Sequence, residues 1–224
     1  MEFGVIDANV VLSNIAECNV DDDNKNGDNL DGLIAKFENV EYLDLSCSKI
    51  LHITNLSLIS SCNLTSLKLS VNRIDTISNL ESFTNLVELD LSHNHIKRIE
   101  NLQGMIKLRR LILNHNPLRS VQNLDAQQNS LEMFDVGYCE IDDLKFTTYL
   151  KQFPNLVSLT VEGNPFRTEP ADSERTFVVS ILQSLLVYNN KTVTTEEKRE
   201  ALKTYRFVNN AFKMSIKSAH ICQE

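Results

Sequence analysis

Two kinds of side chain in this sequence could do chemistry by type and spacing. Imidazoles stand at His93, His95 and His115, the first and the last 22 positions apart, and carboxylates stand at Asp44, Asp90 and Asp135. Two imidazoles on neighbouring elements could share a metal ion, and aligned carboxylates could act as general acid and base. Zinc, however, needs three or four converging ligands. The positions that continue the His93 and His115 rhythm are Val71 and Tyr138, which do not complete such a set. Aligned carboxylates alone require no catalytic role, and the chain contains no glycine-rich phosphate loop, no G-x-S-x-G and no H-E-x-x-H. The residues therefore read as non-enzymatic, with no metal and no cofactor expected.

The elements that position these side chains follow from a repeat. LVELDLSHNHIKRIENL (86–102) recurs as LTSLKLSVNRIDTISNL (64–80) and LRRLILNHNPLRSVQNL (108–124), a period of 22 residues. Looser copies begin at 40, 131 and 156, so about six units read L-x-x-L-x-L-x-x-N-x-L. A fixed period of this length is the mark of a leucine-rich repeat solenoid, an α/β fold whose units stack because none buries its apolar face alone. In each unit the L-x-L segment alternates as a strand, placing Leu89 and Leu91 inward while Glu88, Asp90 and Ser92 face water. The strands stack in parallel into a concave sheet. Asn72, Asn94, Asn116 and Asn164 end their strands and should be structural, each buried amide satisfying the backbone of the turn. Ser48 and Cys139 hold that post in the first and fifth units, where they can bond only weakly.

A solenoid exposes core at both ends and needs caps. Residues 5–16 are apolar enough to cover the first repeat, and the DDDNKNGDN run at 21–29 is too polar to bury. At the other end, residues 172–188 show helical spacing through Phe177, Ile181, Leu182 and Leu185, with Asp172 or Ser173 as the start. Thr194 and Glu197 form a capping box for a second helix, whose apolar face is Leu202, Tyr205, Val208 and Phe212. The chain thus divides into an N-terminal cap and acidic loop (1–38), the solenoid with its cap (39–190) and a C-terminal helix and tail (191–224).

The net charge of −8 places eight acids against one lysine in residues 1–31 and seven bases against three acids in 191–217. Its sign disfavours nucleic acid. No apolar run of about twenty residues indicates a membrane span, and the acidic N-terminus argues against a secretory signal. Five scattered cysteines without a C-x-x-C pair fit reduced thiols in the cytoplasm.

The unit with Ile74, Ile77, Ile96 and Ile99 in its second half, followed by EGNPF, a helix and LLVYNNKTVT, resembles the SDS22-like subclass of leucine-rich repeat proteins over roughly residues 39–200. Asn189-Asn190 stands where that subclass carries Asp-Gly, and asparagine tolerates the positive φ of such a turn. Within the subclass, NLDAQQNSLEMFDVGYCEIDDLKFTTYLKQFPNLVSLTVEGNPF and KREALKTYRF are similar to the leucine-rich repeat subunit of the ciliary nexin-dynein regulatory complex and to related axonemal proteins. The resemblance implies a protein-binding subunit of a ciliary axoneme assembly that controls dynein. The alternatives it leaves are a protein-phosphatase regulatory subunit and a spliceosomal A-prime-like adaptor.

The expected contact surface is the concave sheet: Tyr42, Asp44, Lys68, Val71, Glu88, Asp90, His93, Arg110, Ile112, His115, Met133, Asp135 and Tyr138. Tyrosine, methionine and arginine among charges make a hot-spot mixture. A helical or coiled-coil segment of a larger complex could lie across it. Neither a membrane nor a homo-oligomer is expected.

Overall fold

The computed structural model describes residues 40–53, 63–166 and 173–205. Six three-residue strands follow the repeat: β1 (Tyr42–Asp44), β2 (Ser66–Lys68), β3 (Glu88–Asp90), β4 (Arg110–Ile112), β5 (Met133–Asp135) and β6 (Ser158–Thr160). They pair in sequence order, all parallel, without a register slip: Leu43, Leu67, Leu89, Leu111, Phe134 and Leu159 stand opposite one another and are fully buried. Each such side chain stabilises the stack by about 2 kcal/mol. The α/β leucine-rich repeat solenoid expected from the sequence is the fold observed.

Opposite the sheet the chain returns through turns in which Ile74, Ile77, Ile96 and Ile99 are buried. Among the described residues, helix there lies in the later coils, as a 3-10 turn at Asp125–Gln127 and α1 (Phe146–Leu150). Gln127 occupies the place that Phe83, Met105 and Phe153 fill in other coils. It is fully buried, donating to the Leu102 and Met105 carbonyls at 2.7 and 3.0 Å while its Oε1 finds no partner. Both carbonyls already accept backbone N–H groups, from Met105 and Leu108. Replacing Gln127 with methionine is therefore expected to stabilise the chain by about 1 kcal/mol, since the orphaned acceptor disappears. Chemical denaturation would check this; a lower midpoint would contradict it.

The cap differs from the sequence reading in two places. The helix expected over 172–188 is α2 (Ser173–Ile181) and ends there. Val187–Tyr188 is instead β7, because the Leu186 and Val187 N–H groups bond the Val157 carbonyl at 2.8 and 3.0 Å and extend the sheet. Pairing with an open sheet edge outweighs helical periodicity here. β7 turns through Asn189 and Asn190, at φ 47 and 59°, into the antiparallel β8 (Lys191–Thr192). Two consecutive positive φ values define the tight hairpin turn, so asparagine does replace Asp-Gly.

A third helix, α3, covers 195–205. Thr194 Oγ1 accepts the Glu197 N–H at 3.1 Å, half of the expected capping box. The other half is missing because the Glu197 carboxylate is engaged by Arg175. On α3, Ala201 is buried, Leu202 half-buried, and Tyr205 meets Phe177 edge-on at 6.3 Å. Val208 and Phe212, the N-terminal cap and the acidic loop lie outside the described residues.

Candidate functional site

The turn after each strand sets the stage. Asn94 accepts the Ile74 N–H at 2.9 Å and donates to the carbonyls of Leu69, Leu91 and Ser92 at 2.9 to 3.1 Å. Asn72, Asn116 and Asn164 repeat the pattern, each tying its own coil to the one before. At Cys139 only Sγ contacts to Leu113 and Gly137 at 3.5 Å replace it, and burial pushes that thiol up to about 11. The Leu118 N–H, with no amide oxygen above it, bonds the Asn116 carbonyl instead. The Ser48 hydroxyl likewise makes one bond, donating to the Ser46 carbonyl at 3.2 Å, while its N–H donates to Asn72 Oδ1 at 3.0 Å.

A second ladder escaped the sequence reading. Asn79, Asn101 and Asn123 sit at φ near 60° and donate to the carbonyls of Ile53, Ile77 and Ile99 on the preceding coil. The N-L dipeptide that recurs at the end of the first four repeats was its signal.

The residue before each ladder position is forced into the left-handed region: Cys47, Val71, His93, His115, Tyr138 and Gly163 have φ of 51 to 77°. Such backbone costs on the order of 1 kcal/mol for a residue other than glycine. Hydrogen bonds between coils hold it, from the N–H groups of Val71, His93, His115 and Tyr138 to the carbonyls of Ser92, Asn114, Gly137 and Glu162. This column projects its side chains along one rim of the sheet. His93 and His115 stack face to face at 4.1 Å, and Tyr138 continues the stack at 4.6 Å within 3° of parallel. Stacked rings aim their in-plane lone pairs side by side, not at one point, which is poor geometry for chelation. Among the described residues no three His, Cys, Asp or Glu side chains form a metal-holding group.

The stack ends on Gly163, where an added methyl would overlap the Tyr138 ring. Gly163→Ala is expected to push Tyr138 off the stack and, with φ at 77°, to cost about 1 to 2 kcal/mol. A Tyr138 ring environment unchanged by NMR would contradict it.

The aspartates prove to be turn anchors. Asp44, Asp90 and Asp135 each accept the N–H two residues on, from Ser46, Ser92 and Gly137, at 2.9 Å. Ser92, expected to face water, is buried and donates its hydroxyl to Asp90 at 2.7 Å. Burial opposes ionisation of Asp44, but bonds from Ser46 and Tyr42 outweigh it and hold the carboxyl below its usual range. Asp135 goes the other way: burial raises it despite bonds from Gly137 and Asn114.

Among the remaining face residues the structure makes two pairings. Tyr42 donates to Asp44 at 3.1 Å and lies 5.4 Å beneath the Lys68 ammonium. Arg110 pairs with Glu88 on the neighbouring strand. Ile112 and Met133 stand half-exposed on the sheet, whereas Val71 is exposed on the rim. The register adds residues that sequence reasoning missed, since Arg110, Met133, Ser158 and Val187 form one row across the sheet. Leu186, 55% exposed, follows Val157 in the adjacent row.

Parallel three-residue strands, an asparagine ladder and a hairpin-and-helix cap define a leucine-rich repeat solenoid with an open sheet face. The leucine-rich repeat family model matches residues 48–217, and the chain belongs to that family. None of the curated proteins matches it. Among solved structures it is similar to the functional domain of InlJ from Listeria monocytogenes (17% identity, TM-score 0.51, covering 71% of this chain and 33% of that one). It is also similar to a chain of the Drosophila melanogaster SNF/U2A' complex (19% identity, TM-score 0.50, covering 77% and 87%). An internalin, inlF, of Listeria monocytogenes gives 21% identity, TM-score 0.49 and coverage of 73% and 52%. The chain thus spans about half of inlF and a third of InlJ.

Proposed function

We propose that this chain is a non-enzymatic scaffold that grips a protein partner on its concave sheet. One observation carries the reading: the strands that stack the core present a continuous outward face in which tyrosine, arginine, methionine and aliphatic side chains lie among charges. Aromatic and arginine anchors on a rigid sheet suit recognition, because little side-chain entropy remains to be lost on binding. The column aspartates hold turns, so none is poised for proton transfer.

The resemblance of the repeat and cap to ciliary relatives supports an axonemal setting, in an assembly that controls dynein, with a helical or coiled-coil segment as the partner. A second reading has one observation in its favour, the likeness to a chain of the SNF/U2A' complex across 87% of that chain. On that reading this chain holds a partner within a splicing particle. Asp90→Asn, which keeps the acceptor for buried Ser92, combined with Arg110→Glu is expected to reduce partner capture at least tenfold with an unchanged circular dichroism spectrum. Undiminished capture from a ciliary extract would contradict concave binding. Enrichment of the tagged chain with splicing particles instead of axonemes would favour the second reading.

A further inference from the structure

Charge is unevenly satisfied along the sheet. In the first coils it is largely answered within the molecule, since Tyr42 serves Asp44, Lys68 stands over Tyr42, and Arg110 neutralises Glu88. Asp90 and Asp135 have no cation within salt-bridge reach among the described residues. They flank Ile112, register neighbour to both, and the Asp90 charge adds to the cost of ionising Asp135. Asp90 uses Oδ1 for both of its bonds, leaving Oδ2 open. Asp135 accepts the Gly137 N–H on Oδ1 and the Asn114 amide on Oδ2, and burial raises the cost of its charge, which a cation brought beside it would lower.

Beyond β5 the character changes. Met133, Val157, Ser158, Val187 and Leu186 carry no charge, and Leu186 is the most exposed of them. Strands in a sheet lie about 4.8 Å apart, so β4 to β7 spans about 14 Å, or about ten residues of helix at 1.5 Å each.

We propose that the sheet is built for an amphipathic helical segment of a partner protein in which a lysine or arginine precedes or follows an aliphatic cluster by about three turns. The aliphatic stem of the basic residue lies on Ile112, its head sits between Asp90 and Asp135, and the aliphatic cluster covers Met133, Val187 and Leu186. This deepens the concave-face reading and rests on it. Charge complementarity selects the occupant: an acidic helix would meet two unneutralised carboxylates, and a uniformly apolar one would strand them.

The test is selection of phage-displayed random 18-residue peptides against the full chain, followed by affinity measurement on synthetic copies. Enriched peptides are expected to carry a lysine or arginine about ten residues from two or more aliphatic side chains. Their affinity is expected to fall at least tenfold with Asp90→Asn plus Asp135→Asn, and its salt dependence to flatten. Asp90→Asn alone keeps the acceptor that Ser92 needs, so that variant, checked by melting, separates lost charge from lost fold. Peptides without basic preference that are abolished by Leu186→Glu yet indifferent to both asparagine variants would overturn the inference and leave concave binding standing. Peptides indifferent to every one of these changes, or no enrichment, would overturn both. Self-association detected by light scattering and abolished by Leu186→Glu would assign the face to a second copy and overturn the inference.

Discussion

Replacing Asn94 with leucine is expected to destabilise the chain by about 2 to 4 kcal/mol. The side chain is 5% exposed and joins two coils through four hydrogen bonds. Leucine has the same number of side-chain heavy atoms but a larger volume, so its apolar burial, worth about 1 to 2 kcal/mol, is offset in part by overpacking. Against that gain, the Ile74 N–H is left unpaired in a place water does not reach, at about 1 to 3 kcal/mol, and the Leu69 and Leu91 carbonyls each lose one of two amide donors, keeping those of Asn72 and Asn116. Because each coil is stabilised by its neighbours, the loss should spread along the stack and blunt the cooperativity of unfolding. Cys139→Asn is the complementary change, since it restores an amide where the thiol makes two contacts at 3.5 Å; it should raise stability by about 1 kcal/mol. Urea titrations of the two variants check both signs, and an Asn94→Leu midpoint equal to the parent would refute the ladder's role.

The second large effect is expected at Arg175. Its guanidinium bonds both Glu197 carboxylate oxygens at 2.5 and 3.0 Å and the carbonyls of Tyr188 and Thr192 at 3.1 and 3.0 Å. It also lies 5.7 Å from the Tyr188 ring. One side chain therefore ties α2, the β7–β8 hairpin and α3 together over the end of the solenoid. Tyr188 in turn donates to Glu174 at 2.5 Å, and burial with that partner drives its phenol far upward. Arg175→Met keeps the stem and deletes the fork, so a loss of about 2 to 4 kcal/mol is expected. The pair carries a pH signature as well. The bond from Arg175 holds Glu197 below its ordinary value of 4.5, so its contribution is complete above that pH and is lost as pH falls through the lowered folded value. In Arg175→Met this part of the acid sensitivity should vanish. Stability measured at pH 7 and at pH 3 in both proteins would show it; an identical acid loss in parent and variant would count against the pairing.

The sequence carried the repeat because each coil solves the same packing problem with the same residues. Leu89 and Leu91 alternate inward and Asn94 closes the turn, and a copy one period away does so again. Less legible were features decided by contacts between coils. Asn79, Asn101 and Asn123 resemble ordinary polar loop residues until the carbonyl of the preceding coil is placed beneath them. Val187 and Tyr188 continue an apolar helical spacing, and only the open edge of β6 makes them a strand. At the candidate site, the columns of aligned residues could be read from the period. The anchoring of turns by Asp44, Asp90 and Asp135 could not, nor could the stacking of His93, His115 and Tyr138. Both depend on backbone direction at the strand end, where φ turns positive.

Concave recognition is tested most directly by photo-crosslinking in the native assembly, with a photoreactive side chain placed at Met133 on the sheet or at Ile106, which is 61% exposed and lies between strands β3 and β4 in the return part of its coil. The expected result is a covalent adduct with one partner protein from position 133, lost when Asp90→Asn and Arg110→Glu are combined, and none from position 106. Adducts from position 106 alone, with position 133 silent in the intact assembly, would contradict the account.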